Sequence, residues 1–141
     1  MAWSIRFHAL GAQFKPSQIN YSFTEAFDAG AIMEKGHYAN KPAPYGTIVI
    51  EAPKEIPNQD RISYVVRAAQ SILPELIQAG VTKWYLDIGR FYSTQCNESY
   101  SSEELALMAS LNCHLNYSAY KVSKKEEREL NEEYGGFEVL E

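Results

Sequence analysis

The chain has 141 residues, 45% hydrophobic and 22% charged, the size and composition of one globular domain, which excludes a mostly disordered polymer. At this length roughly two thirds of the unfolded surface is buried on folding, so neither metal nor disulfide is needed to hold a core. The formal net charge of −5 argues against a dedicated nucleic-acid binder, which presents a basic face.

The acidity is uneven. Residues 121–141 hold four basic and seven acidic side chains and contribute −3, leaving −2 for the other 120 residues. The first residues, Met1 to His8, lack the apolar core of a signal peptide. No run approaches the ~20 apolar residues of a membrane span, so a soluble, cytoplasmic protein is expected. Outside a secretory context the Asn-x-Ser triplets at Asn20, Asn97 and Asn116 are chance matches. Cys96 and Cys113 lack a paired ligand spacing and are expected as free thiols.

Trp3, Ile5, Phe7 and Ala9 alternate with Ser4, Arg6 and His8, the period of a half-buried strand. Gly11 and Lys15-Pro16-Ser17 close it, and Pro16 suits the first turn of a short helix. From Tyr21 to Tyr45 glycines and the Asn40 to Pro44 run break any long element; the segment is expected to be irregular, with short strands at most. Thr47 to Glu51 is β-branched and reads as a strand. Asp60 then stands as an N-cap to a stripe of Ile62, Val65, Val66, Ala69, Ile72, Leu73, Leu76 and Ile77 at helical spacing. Pro74 interrupts that stripe and predicts a kink or two consecutive helices, and Gly80 is the C′ residue. Val81 to Phe91 forms a second strong strand, with Trp84, Leu86 and Ile88 on one face. After a polar loop, Ser101 and Glu104 make a capping box for a short helix with an apolar face of Leu105, Met108, Ala109 and Leu111. Asn112 ends it, and Cys113, Leu115, Tyr117 and Ala119 alternate along a third strand. Ser123 and Glu126 open a charged helix to Tyr134, followed by Gly135-Gly136 and an apolar tail of Phe137, Val139 and Leu140.

The strands alternate instead of reading as continuous apolar runs. The expected fold is therefore α+β: a two-layer arrangement with a mixed or antiparallel sheet, helices on one face, and a charged C-terminal helix. Residues 1–120 form the domain, and 121–141 are a helix and tail appended to it.

No nucleotide, nucleophile-elbow or HExxH motif occurs. Cys113 and His114 are strand neighbours that point to opposite faces, so they make a poor thiol–imidazole pair. His8, His37 and His114 are scattered, though His8 and His114 share the non-core face. Asp87 is expected to pair with Arg6 or Arg90 across the solvated face. No catalytic residue, metal or cofactor is expected. The unusual feature is aromatic: of ten tyrosines, Tyr38, Tyr45, Tyr85, Tyr92, Tyr100 and Tyr120 fall in loops or on polar strand faces. Tyrosine offers stiff contact area with a polar tip, the property that enriches it at binding surfaces.

Several segments together resemble a family of small bacterial domains, domain of unknown function 4279. They are the first strand with Phe14-Lys15-Pro16-Ser17-Gln18-Ile19, Glu34-Lys35-Gly36-His37, Ile72-Leu73-Pro74-Glu75-Leu76, Ser101 to Ala106, and a strand opening after Leu111-Asn112. The likeness runs from Trp3 to about Tyr120. His37 stands where that family often has aspartate, and the helix after Ser123 looks like an addition. The resemblance implies an α+β domain without established catalytic residues. Small acidic bacterial proteins of this kind often look like immunity proteins, which neutralise toxins of neighbouring cells.

The leading expectation is thus a non-enzymatic protein-binding domain, most concretely an immunity protein for a basic toxin domain. Its contact residues would be Tyr38, Tyr45, Tyr85, Tyr92 and Tyr100 with the carboxylates Asp28, Glu34 and Glu98. The alternatives are a small-molecule-binding domain or enzyme with a pocket over the open sheet face near His8, Asp87 and His114, and a structural domain that forms a homo-oligomer. No nucleic-acid or membrane partner is expected.

Overall fold

The structure is a computed structural model that describes residues 2–135; the apolar tail expected at Phe137, Val139 and Leu140 lies outside them. Five strands, β1 (Ala2–Gly11), β2 (Glu25–Phe27), β3 (Gly46–Glu51), β4 (Lys83–Tyr92) and β5 (His114–Lys121), form one open sheet in the order β2-β3-β1-β4-β5. All neighbours are antiparallel except β4 and β5, which run parallel. The sheet is therefore mixed, and the fold is α+β. A parallel pair needs a crossover, and the helix α2 (Ser102–Ser110) supplies it.

The alternation along β1 decides which face is the core. Trp3, Ile5, Phe7 and Ala9 are buried, and opposite them on β4 lie Arg90, Ile88, Leu86 and Trp84. The helix α1 (Asn58–Gln78) covers this face with Ile62, Val65, Val66, Ala69, Ile72 and Leu76. Burying each such side chain contributes about 1.5–3 kcal/mol, so α1 is the main apolar anchor of the fold.

Four local expectations need correction. Ile77, expected in the buried stripe of α1, is 47% exposed. The N-cap of α1 is Pro57, which has no side-chain oxygen to offer, and Asp60 sits in the first turn instead, where its charge suits the helix dipole. Pro74 does not divide the element: α1 is one helix through to Gln78. On α2, Leu105 is 52% exposed, while Leu107, Met108 and Leu111 meet the core, so the buried stripe is rotated from the expected one. The other end signals match their chemistry. The N–H of Gly80 donates to the Ile77 carbonyl and that of Val81 to Leu76, the paired bonds of a Schellman turn, with Gly80 at φ 113°. Ser101 and Glu104 bond reciprocally as a capping box.

The helix α3 (Lys124–Tyr134) lies on the opposite side of the sheet. Its Tyr134 ring stacks on Phe91 at 5.8 Å, and Phe91 points away from Ile88 and Arg90 by strand alternation. Its last turn is tied to α1 by Arg61, which donates to the Tyr134 carbonyl at 3.0 Å and to the carbonyls of Pro53 and Ile56. A guanidinium at a helix C-terminus complements the dipole there.

Candidate functional site

The strand register arranges the non-core face in rows. One row runs Glu25, Val49, His8, Tyr85 and His114; the next runs Glu51, Arg6, Asp87 and Asn116. Sequence alternation places Arg6 and His8 on this face, but only tertiary pairing brings them beside Tyr85 and the carboxylates.

Arg6 is the hub. Its Nη2 lies 3.0 Å from Glu25 Oε1 and its Nε 2.7 Å from Glu51 Oε1. Asp87, its cross-strand partner, instead approaches His8, with 3.9 Å between Oδ2 and Nε2. The expected Arg6–Asp87 pair is thus replaced by Arg6 held between two glutamates. The His8 ring stacks on Tyr85 at 4.7 Å with 7° between planes. Burial and the nearby Arg6 charge hold the imidazole below its ordinary pKa, against the pull of Asp87 and Glu25. The Glu51 carboxyl is pushed above the carboxylate range by burial; Arg6 opposes this, whereas Glu25 and Glu133 add to it. Tyr85 is pushed up by burial first, then by Asp87 and Tyr45.

Beside this floor stand Phe27 and Tyr45, whose rings meet at 6.1 Å. Together they bound an open trough of about 350 Å³ lined by Arg6, His8, Glu25, Tyr45, Thr47 and Tyr85, among others. Glu25 and Glu51 flank the Arg6 guanidinium and Asp87 approaches His8, so carboxylates outnumber the guanidinium three to one beside the aromatic walls.

The expected contact residues divide among several places. Tyr45 and Tyr85 meet in the trough. Tyr38 and Glu34 are exposed on the loop between β2 and β3, Tyr38 edge-on to His37 at 4.9 Å. Asp28 accepts hydrogen bonds from the Ser17 N–H at 2.9 Å and from its hydroxyl, which hold its carboxyl below the usual range. Tyr120 stacks on Phe91 at 5.4 Å, and Tyr92 is half-buried at the end of β4. Glu98 and Tyr100 belong to the core side: Glu98 Oε1 lies 2.5 Å from Arg90 Nε, and burial raises the Tyr100 hydroxyl pKa. Arg90 faces the core and not the solvated face, because it shares the parity of Leu86 and Ile88. Next to this pair the Cys96 thiol lies 3.4 Å from the Tyr117 hydroxyl, whose pKa burial and that contact push well up.

Sequence reasoning missed Glu25, Phe27 and Glu51 as site residues. The first two lie in the segment without periodicity, and nothing local marks them. Glu51 ends a strand that was legible, but its pairing with Arg6 depends on the β1–β3 register. Among the described residues, no group of three His, Cys, Asp or Glu side chains is placed to hold a metal, and no helix is long and apolar enough to cross a membrane. In comparisons with known proteins, no family model, no curated protein and no solved structure matches the chain.

Proposed function

We propose that the chain is a non-enzymatic binding domain whose open sheet face receives a basic segment of a protein partner. The observation that carries this reading is the convergence of Tyr45, Tyr85, Phe27 and His8 around Arg6, which two glutamates already over-neutralise. A lysine or arginine side chain entering the trough relieves the crowding of Glu25, Glu51 and Asp87 and lies against aromatic faces. The trough is open, which suits a protruding loop better than a small ligand that must be largely enclosed. In its most concrete form the domain is an immunity protein that masks a basic toxin surface; the overall charge of −5 supports a cationic partner. Tyr38 and Glu34, on the neighbouring loop, extend the same contact.

The test is co-purification with the product of the adjacent gene, followed by calorimetric titration of variants. Tyr45→Ala and Tyr85→Ala should each weaken binding by roughly tenfold or more, as interface anchors do, and Glu25→Lys should slow association in low salt. If both tyrosine variants lower the melting temperature yet bind as tightly as the wild type, the trough is not the contact surface.

A further inference from the structure

The second exposed feature is the sheet's edge at β5, which is separate from the trough. β5 closes the sheet on one side, so alternate backbone N–H and C=O groups along it point away from β4. Among the described residues no strand pairs with that side. The opposite edge is handled differently: β2 offers only three residues. β5 runs for eight residues in unbroken register with β4, contains no proline, and carries one formally charged side chain, Lys121, at its end.

Its side chains repeat the message. Leu115 and Tyr117 lie level with Leu86 and Ile88 on the core face, yet each is 43% exposed because nothing continues the layer beyond them. Soluble proteins blunt such edges with charge, proline or bulges, and this one has none along its centre.

We propose that β5 is a homodimer interface, pairing antiparallel with β5 of a second copy about a two-fold axis at Tyr117. A two-fold normal to the sheet keeps each face continuous, so a residue must meet one of its own parity. Two registers satisfy this with the longest overlap, centred on Tyr117 or on Ser118. The second sets Leu115 against Lys121. The first sets Leu115 against Ala119 and Tyr117 against its own counterpart on the core face. On the other face it sets Asn116 against Ser118 and His114 against Tyr120. Apolar meets apolar, polar meets polar, and no like charges face each other. The strand is complementary to itself, which is why a second copy and not a foreign strand is its partner. The resulting sheet joins two five-stranded halves and sets both open faces on one side.

The experiment is sedimentation equilibrium of the full chain at tens of micromolar, with melting curves as the control for folding. The wild type should sediment as a dimer, and Tyr117→Lys and Tyr117→Glu should each be monomeric, because the residue opposes itself. Mixing the two variants should restore a one-to-one heterodimer. Leu105→Lys, on the exposed face of α2, should leave the dimer intact. Should Tyr117→Lys fail to fold, Leu115→Lys, whose ammonium pairing would bury, gives the same readout. A monomeric wild type, a dimer that persists in either folded variant, or a mixture that does not reassemble overturns the proposal.

Discussion

Arg90 shows how one residue's parity decides its chemistry. It follows Leu86 and Ile88 at a spacing of two, so the strand turns its guanidinium toward the core, where only 8% of the residue stays exposed. Two groups compensate. The Trp3 ring lies beneath the guanidinium at 3.9 Å, and Glu98 reaches in from the polar loop to 2.5 Å. Trp3 is fixed in turn by its indole N–H, which donates to Asn58 Oδ1 at 2.8 Å. Removing one partner of a buried pair leaves an uncompensated charge and costs more than replacing the cation itself with an apolar side chain. Glu98→Gln should therefore destabilise the fold by about 2–3 kcal/mol, and Arg90→Met by less. Urea unfolding of the two variants decides it; equal or inverted losses would mean that solvent, not Glu98, balances the guanidinium.

At the scale of elements, what sequence makes legible is what local chemistry controls. The alternation of β1 and β4, the turn at Gly80 and the Ser101–Glu104 box each depend on residues a few positions apart, and each appears in the structure as read; the α1 stripe does so from Ile62 to Leu76 but not at Ile77. Apart from the start of α1, where Pro57 and not Asp60 is the N-cap, the misreadings involve a competing tertiary term. The buried face of α2 is set by what α1 presents to it, so Leu107 and not Leu105 turns inward. β5 alternates like a half-buried strand, but strand order makes it an edge, and Leu115 and Tyr117 stay exposed. In the candidate site the tyrosines could be nominated from sequence, whereas their sorting into trough, loop and core-side cluster could not.

Pro74 belongs with these cases. The sequence rule charges an interior proline about 3 kcal/mol for a lost hydrogen bond and a ring clash, yet α1 absorbs it without ending. Packing of Ile72 and Leu76 on either side holds the helix together. Since the helix already exists there, Pro74→Ala should restore a bond to the Gln70 carbonyl. Proline also restricts the unfolded chain, which offsets part of that gain. The expected net effect is stabilisation by about 1–2 kcal/mol, read as a higher urea midpoint at unchanged slope. A lower midpoint would show that the proline is tuned to this helix and not merely tolerated.

For the whole molecule the deciding question is what holds a helix as charged as α3 against the sheet. Its residues facing inward are few: Glu127, Leu130 and Tyr134, spaced to share one side of the helix. Polar contacts fix both ends. The Ser93 N–H donates to Glu127 Oε2 at 2.7 Å, and Arg61 donates to the Tyr134 carbonyl. Between them the rings of Tyr134, Phe91 and Tyr120 stack in series across the non-core face. Aromatic pairs contribute about 0.5–1.5 kcal/mol beyond the area they bury, so a double-mutant cycle of Phe91→Leu and Tyr134→Leu should show a coupling of that size. The consequence reaches the trough, because Glu133 on this helix adds to the negative charge felt by Glu51. A coupling indistinguishable from zero would mean that the polar contacts at its two ends, and not the stacked rings, hold α3 and its Glu133 beside the open face.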